Sequence, residues 1–181
     1  MKSNIIEFEK FKLKTAQDVF FPRDDIEIFP RALKNIIKIN CKILELGTGT
    51  GAISIALAKN FNNVKIIDFK ESNWFSNIED NKFDFIVSNP PYLSKKNSSY
   101  YTELTDPENS LYAKNNGLDD IYKIFQLGVN YLNKDSYVLI EHSHNQTLIL
   151  KEHSKKYNLK LIKSEKDILG FNRVSIFSNS I

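Results

Sequence analysis

The chain has 181 residues, a formal net charge of +3, and 41% hydrophobic against 26% charged residues, the balance of a soluble globular protein with room for a sizeable core. Its apolar runs fall far short of the roughly 20 residues of a membrane span. Residues 1–14 lack the apolar stretch of a secretory signal. One cysteine, Cys41, excludes an internal disulfide framework and points to the reducing cytoplasm.

In chain order, Asp24-Asp25-Ile26-Glu27 has the spacing of a capped helix start, with Pro30 marking either the first turn or a kink. Lys42–Leu46 reads as a short apolar strand, preceded by a Cys41 expected to be buried, and the helix after it runs from about Ala52 to Asn60. Two further strands follow, Val64–Phe69 and Phe83–Ser88. The mixed-polarity stretch Leu93–Asn116 is a long loop, the kind that carries function or moves. Gly117 then opens a helix with Leu118, Ile121, Ile124, Phe125 and Leu132 on one face. Tyr137–Glu141 reads as a strand, Gln146–Tyr157 as a helix, and Leu159–Lys163 and Val174–Ser178 as the closing strands. The alternation predicts an α/β sheet of parallel strands in a single domain over residues 1–181.

Two segments carry chemistry. Glu45-Leu46-Gly47-Thr48-Gly49-Thr50-Gly51 sits between a strand and a helix, where backbone N–H groups can approach a nucleotide closely. Its last two glycines are one residue apart, not two as in the dinucleotide fingerprint, and Glu45 would repel a pyrophosphate. A cationic, phosphate-free ligand suits it better, which favours S-adenosylmethionine, with its ammonium and sulfonium, over NAD. A ribose carboxylate is expected near the end of the next strand, from Asp68 or Glu71. The lone tryptophan, Trp74, either fills the core or stacks on the adenine. The second segment, Asn89-Pro90-Pro91-Tyr92, follows a strand. The Asn89 side chain and the Pro90 carbonyl offer two acceptors, Pro91 stiffens the turn and Tyr92 adds a flat wall, an arrangement suited to a planar NH2 group. Asn89 is expected to border the cofactor as well. The spacing of His142, His144 and His153 builds no metal site, and solvent exposure is expected for them.

With these residues in order, the chain resembles the catalytic domain of the release factor glutamine methyltransferases. Phe20-Phe21-Pro22-Arg23 with Glu27 is similar to that family's Ile-Pro-Arg-Pro-x-Thr-Glu segment, and Ser72-Asn73-Trp74-Phe75 to its Ser-Asp-Trp-Phe. Asp106-Pro107, Asn116-Gly117-Leu118-Asp119, Glu141 with Gln146, and Gly170-Phe171-Asn172-Arg173-Val174 follow its later motifs. The resemblance implies a Rossmann-like class I S-adenosylmethionine-dependent methyltransferase fold and N5-methylation of the glutamine in the Gly-Gly-Gln loop of peptide chain release factors. Asn89, Pro90 and Tyr92 would be catalytic, and Pro91 would help to bind substrate. Residues 1–23 are expected to be an opening segment, with no N-terminal helical domain of the kind the family carries.

Departures from the family pattern set further expectations. Gly51 and Asn89 stand only 38 positions apart, so the sheet is expected to be shorter by about one βα unit, with the ribose acid displaced. Asp68 falls two residues short of the expected place, which keeps the strand face but shifts the carboxylate by roughly 6.6 Å. Asn73 stands where the family has an Asp. Two other readings remain open: methylation of an exocyclic amine in DNA or RNA, and a non-catalytic remnant that binds a protein partner. The small charge and the short Lys95-Lys96 and Lys155-Lys156 pairs weigh against nucleic acid as the direct substrate.

Overall fold

The computed structural model describes residues 4–8, 11–15, 19–22, 24–62, 64–66, 72–79, 82–95 and 106–180. Asp68 and Glu71 lie outside them. The described chain opens with an antiparallel pair, β1 (Asn4–Phe8) and β2 (Phe11–Thr15), closed at Phe8 and Phe11. A 3-10 turn over Asp24–Glu27 leads into α1 (Ile28–Leu33). Pro30 is its third residue, within the first turn, where a missing N–H costs no helical hydrogen bond. Next come β3 (Lys42–Leu46), α2 (Ala52–Asn60), β4 (Lys65–Ile66) and β5 (Phe83–Ser88). Three helical segments follow, α3 (Glu108–Leu111), α4 (Lys114–Gly117) and α5 (Asp119–Gly128). β6 (Leu132–Glu141), α6 (Thr147–Ser154), β7 (Lys160–Lys166) and β8 (Asn172–Ser178) complete the chain.

The main sheet has six strands in the order β4-β3-β5-β6-β8-β7. The first four are parallel, as the alternating pattern predicts, but β8 runs antiparallel to both β6 and β7. The reason is local. A five-residue connection from Asp167 to Phe171 is too short for a crossover, so β7 and β8 form a hairpin. Between β4 and β5 the described residues hold a tight turn and no helix, in keeping with the expected loss of one βα unit.

Side chains alternate across the sheet with period two. Ile43, Phe85, Val87, Leu139, Val174 and Ile176 face α1 and α2, where they meet Phe29, Leu33, Ile53 and Leu57. Leu44, Leu46, Ile86, Val138, Ile140 and Phe177 face α5 and α6, where they meet Ile121, Ile124, Phe125 and Leu150. Full burial of each such side chain contributes about 1.5–3 kcal/mol, so the two faces together fix which strand ends lie side by side. Leu13 of β2 joins the first face, and Cys41 is buried there as expected.

Three further expectations need correction. Leu132 is not on the α5 face: α5 ends at Gly128, a 3-10 turn spans Val129–Tyr131, and Leu132 is extended as the first residue of β6. It lies eleven positions after Ile121, three helical turns, and so mimicked the helical period. The helix expected over Gln146–Tyr157 is divided into a 3-10 turn (His144–Gln146), α6 and a second 3-10 turn (Lys155–Tyr157). His142 is fully buried, not exposed, because the strand-like course of β6 continues past Glu141 and its backbone N–H bonds to Arg173 O at 2.9 Å.

Candidate active site

The site forms where three strands end. Leu46 of β3 is in register with Ser88 of β5, and Ser88 with Ile140 of β6. Gly47 and Asn89 therefore leave the sheet beside Glu141, the last residue of β6, along one edge, the usual ligand edge of an α/β fold. The buried Ser88 hydroxyl donates to Leu46 O at 2.8 Å and ties the first two strand ends together.

Gly47, Gly49 and Gly51 all take left-handed backbone conformations, and Gly51 caps α2. Glu45 sits just beneath. Its Oε2 accepts the Ser54 backbone N–H at 3.0 Å and the Ser54 hydroxyl. Parts of the residue remain accessible, but Oε1 is sealed from solvent and has no hydrogen-bond partner, and the same is true of Thr48 Oγ1. Burial pushes the Glu45 carboxyl up to about 7, against the opposing pull of the Ser54 bonds and of the Thr48 hydroxyl. A buried carboxylate at the base of the glycine loop suits a cationic ligand, which matches the donor chemistry of S-adenosylmethionine and not that of a pyrophosphate.

The opening segment crosses this loop. Val19 Cγ1 stands 3.7 Å from the point that a Cβ on Gly49 would occupy. Phe21 N–H donates to Asp106 Oδ1 at 3.0 Å, which joins the segment to the stretch before α3. Trp74 has φ +58° within a turn stapled by the Ser72 hydroxyl, which donates to Trp74 O at 2.9 Å and accepts Asn77 N–H at 3.0 Å. Its half-buried ring packs against the cluster that holds Leu44 and Leu46, and Phe75 stacks on Tyr131 with centroids 4.9 Å apart.

Pro90 is buried, while Asn89, Pro91 and Tyr92 are half-buried. The Asn89 amide has no hydrogen-bond partner among the described residues. Tyr92 is fixed at two points: its hydroxyl donates to Glu141 Oε1 at 2.9 Å, and its carbonyl accepts from Gln146 Nε2 at 3.0 Å. The turn continues into a short ladder in which Leu93 N–H bonds to Leu111 O and Ala113 N–H to Leu93 O, so part of the expected loop is ordered against α3. Gly117, at φ +84°, lies so close that a Cβ there would sit 2.0 Å from Tyr92 O.

Behind Glu141, Arg173 pairs with Asp167 at 3.0 Å. Burial opposes its charge, but Tyr92, Asp167 and Glu141 outweigh that and raise its pKa. The buried His142 ring bonds Ser143 O at 2.8 Å and Ser175 Oγ at 2.6 Å. Among the described residues, no group of three His, Cys, Asp or Glu side chains is placed to hold a metal ion. The fold thus gathers Glu45, Gly47, Thr48, Gly49, Thr50 and Gly51 beside Asn89, Pro90, Pro91 and Tyr92. The hydrogen bonds of Gln146 and Glu141 and the close approach of Gly117 had no signal beyond these residues' place in the family pattern, and Val19 had no signal at all.

The Eco57I restriction-modification methylase family matches residues 4–177. The chain is 37% identical over 197 residues to the release factor glutamine methyltransferase of Buchnera aphidicola subsp. Acyrthosiphon pisum, with 94% of this chain and 71% of the relative covered. To its counterpart in Buchnera aphidicola subsp. Schizaphis graminum it is 35% identical over 200 residues, covering 93% and 71%. Both alignments run longer than this chain, so the relatives carry internal residues that it lacks. Among solved structures, the E. cuniculi Mtq2-Trm112 complex, which methylates the eRF1 translation termination factor, has a TM-score of 0.55 at 18% identity, over 91% of this chain and 99% of that one. That likeness marks the Rossmann-like class I methyltransferase fold. With relatives of this identity along almost its whole length, the chain belongs to the release factor glutamine methyltransferase family.

Proposed function

We propose that this chain methylates the side-chain nitrogen of the glutamine in the Gly-Gly-Gln loop of peptide chain release factors, in the cytoplasm, with S-adenosylmethionine as methyl donor. The observation that carries the reading is the register of Leu46 with Ser88, which sets the glycine loop beside the Asn-Pro-Pro-Tyr turn. Glu45, Thr48 and the backbone of Gly47–Gly51 would hold the cofactor, Trp74 would flank its adenine, and residues 19–22 would cover it. When bound, S-adenosylmethionine supplies an electrophilic methyl group. Any ribose contact by Asp68 or Glu71 is part of the same proposal.

An amide nitrogen is a poor nucleophile because its lone pair is delocalised into the carbonyl. The Asn89 side-chain oxygen and the Pro90 carbonyl would each accept one of its N–H bonds and stabilise positive charge as it develops on nitrogen. Removal of one such preorganised group costs about 3 kcal/mol, or about 100-fold in rate. Tyr92 would pack on the amide plane and hold the nitrogen in line, and ordered geometry of this kind is a large part of the rate gain.

The test is methyl transfer to the cognate unmodified release factor, read at its Gly-Gly-Gln glutamine by tandem mass spectrometry. Expected are a methylated glutamine with the wild-type protein and at least about 100-fold slower transfer with Asn89→Ala. A folded wild-type protein that leaves the glutamine unmodified contradicts the proposal and favours a partner-binding remnant. The match to the Eco57I methylases favours a second reading, methylation of an exocyclic amine in a nucleic acid base. That reading requires binding to a polynucleotide that falls steeply with salt.

A further inference from the structure

We infer that Gln146 is a positioning residue for methyl transfer, with a buried carboxamide that sets the orientation of the Asn89–Tyr92 turn. The inference rests on the proposed reading of that turn. Gln146 is 7% exposed and has both ends of its amide engaged. Its Oε1 accepts the Ser143 N–H at 2.9 Å, and its Nε2 donates to Tyr92 O at 3.0 Å and Asn116 O at 3.3 Å. A primary amide has two N–H donors, and here both go to carbonyls from distant parts of the chain. One side chain therefore joins the end of the Asn-Pro-Pro-Tyr turn, the segment before α5, and the turn after β6.

The surroundings are built to admit that carbonyl. Gly117 leaves the space that a Cβ would fill 2.0 Å from Tyr92 O. Asn115 and Asn116 both take left-handed conformations, φ +54° and +56°. Such conformations are unfavourable in non-glycine residues unless the surroundings hold them, and the bond from Gln146 to Asn116 O holds this one. Tyr92 is also held at its far end, where its hydroxyl bonds Glu141 Oε1. With carbonyl and phenol both fixed, the ring has one orientation. The carbonyl of Pro90 precedes that of Tyr92 by two peptide planes, and one torsion between them is locked by the Pro91 ring. Fixing Tyr92 thus restricts Pro90 O, one of the two acceptors for the substrate amide.

A bare capping role for Gln146, closing the Ser143 turn ahead of α6, makes different predictions. Gln146→Met keeps the volume and loses the donors. Gln146→Glu keeps the shape and can donate to Tyr92 O only when its carboxyl is protonated. We expect Gln146→Met to remain folded, to bind S-adenosylmethionine within about two-fold of wild type by calorimetry, and to lose about 100-fold in kcat, the cost of roughly 1 Å of misplacement. For Gln146→Glu, kcat relative to wild type should recover as the pH is lowered from 8 to 6. It also serves if Gln146→Met does not fold. A kcat within about three-fold of wild type for the folded variant, or a ratio flat in pH, overturns the inference.

A readout without substrate separates this inference from the proposed function. Tyrosine-13C NMR, with Tyr92 assigned through Tyr92→Phe, should show the Tyr92 ring signal displaced in both Gln146 variants. If wild type fails to methylate the glutamine, the proposed function falls, and the Tyr92 signal alone decides the clamp: a displaced signal supports it and an unmoved one overturns it.

Discussion

Glu45 carries a cost when the site holds no ligand, and that cost can be measured. Burial moves its carboxyl from 4.5 up to about 7, while the unfolded chain ionises near 4.5. Between those values the folded protein holds more of the proton than the unfolded chain does. Stability from this group is therefore fully present below about pH 4.5, falls as pH rises through 7, and is level above. A shift of about 2.5 units corresponds to about 3 kcal/mol at pH 8 and about 1 kcal/mol at pH 5. Glu45→Gln removes the titration, keeps an oxygen to accept the Ser54 N–H and keeps the shape. Urea unfolding of the ligand-free proteins from pH 4 to pH 8 should find the variant more stable by about 3 kcal/mol at pH 8, with the gap closing towards pH 4.5. Taking the difference between the two proteins cancels other titrating groups common to both. Parallel stability curves, or a variant less stable at pH 8, would refute the reasoning. Binding should run the other way. A cation favours the ionised carboxyl, so wild-type affinity for S-adenosylmethionine should rise with pH up to about 7 and level off, with proton release, while the variant binds more weakly and without that slope. Stability lost to a functional group in this manner is a common trade-off.

Gly117→Ala combines a positive φ with a Cβ 2.0 Å from Tyr92 O; urea unfolding should find a loss of about 3 kcal/mol or more, and methyl transfer should fall with it. Burial lowers the His142 pKa from 6.5 to about 4. Its stability contribution is present above pH 6.5 and is lost as pH falls towards 4, by about 3 kcal/mol. Imidazole NMR should show that ring uncharged at pH 5, and a midpoint near 6.5 would contradict its burial. Cys41 is 4% exposed, takes the Lys38 N–H at 3.1 Å and donates to Lys38 O at 2.7 Å, and burial leads the influences that raise its pKa. Native protein should resist iodoacetamide at pH 7 and react after urea unfolding.

Elements with a strong local pattern were legible in the chain itself. Lys42–Leu46, Ala52–Asn60 and Phe83–Ser88 have the observed bounds, because short, mostly apolar segments and a glycine loop leave few local choices. Glu45–Gly51 and Asn89–Tyr92 stood out as candidate segments for the same reason, since each proposed function sits within a few consecutive residues. Weak or shared patterns were not. The β1–β2 pair has short strands with no Gly, Pro or Asn between them in sequence, and Leu132 obeys a helical period while standing in a strand.

What the residues alone determined is therefore the set of parts: a parallel strand–loop–helix unit, a glycine-rich loop with a carboxylate at its base and an acceptor-rich turn. Tertiary structure decided how the parts meet. The register of β3, β5 and β6 brought Gly47, Asn89 and Glu141 to one edge, the hairpin turned β8 antiparallel, and packing sealed Glu45 Oε1 from water. Gln146 reaches Tyr92 across 54 positions of sequence. Such contacts depend on long-range burial of both sheet faces, a property of the whole folded chain that no local window of residues contains.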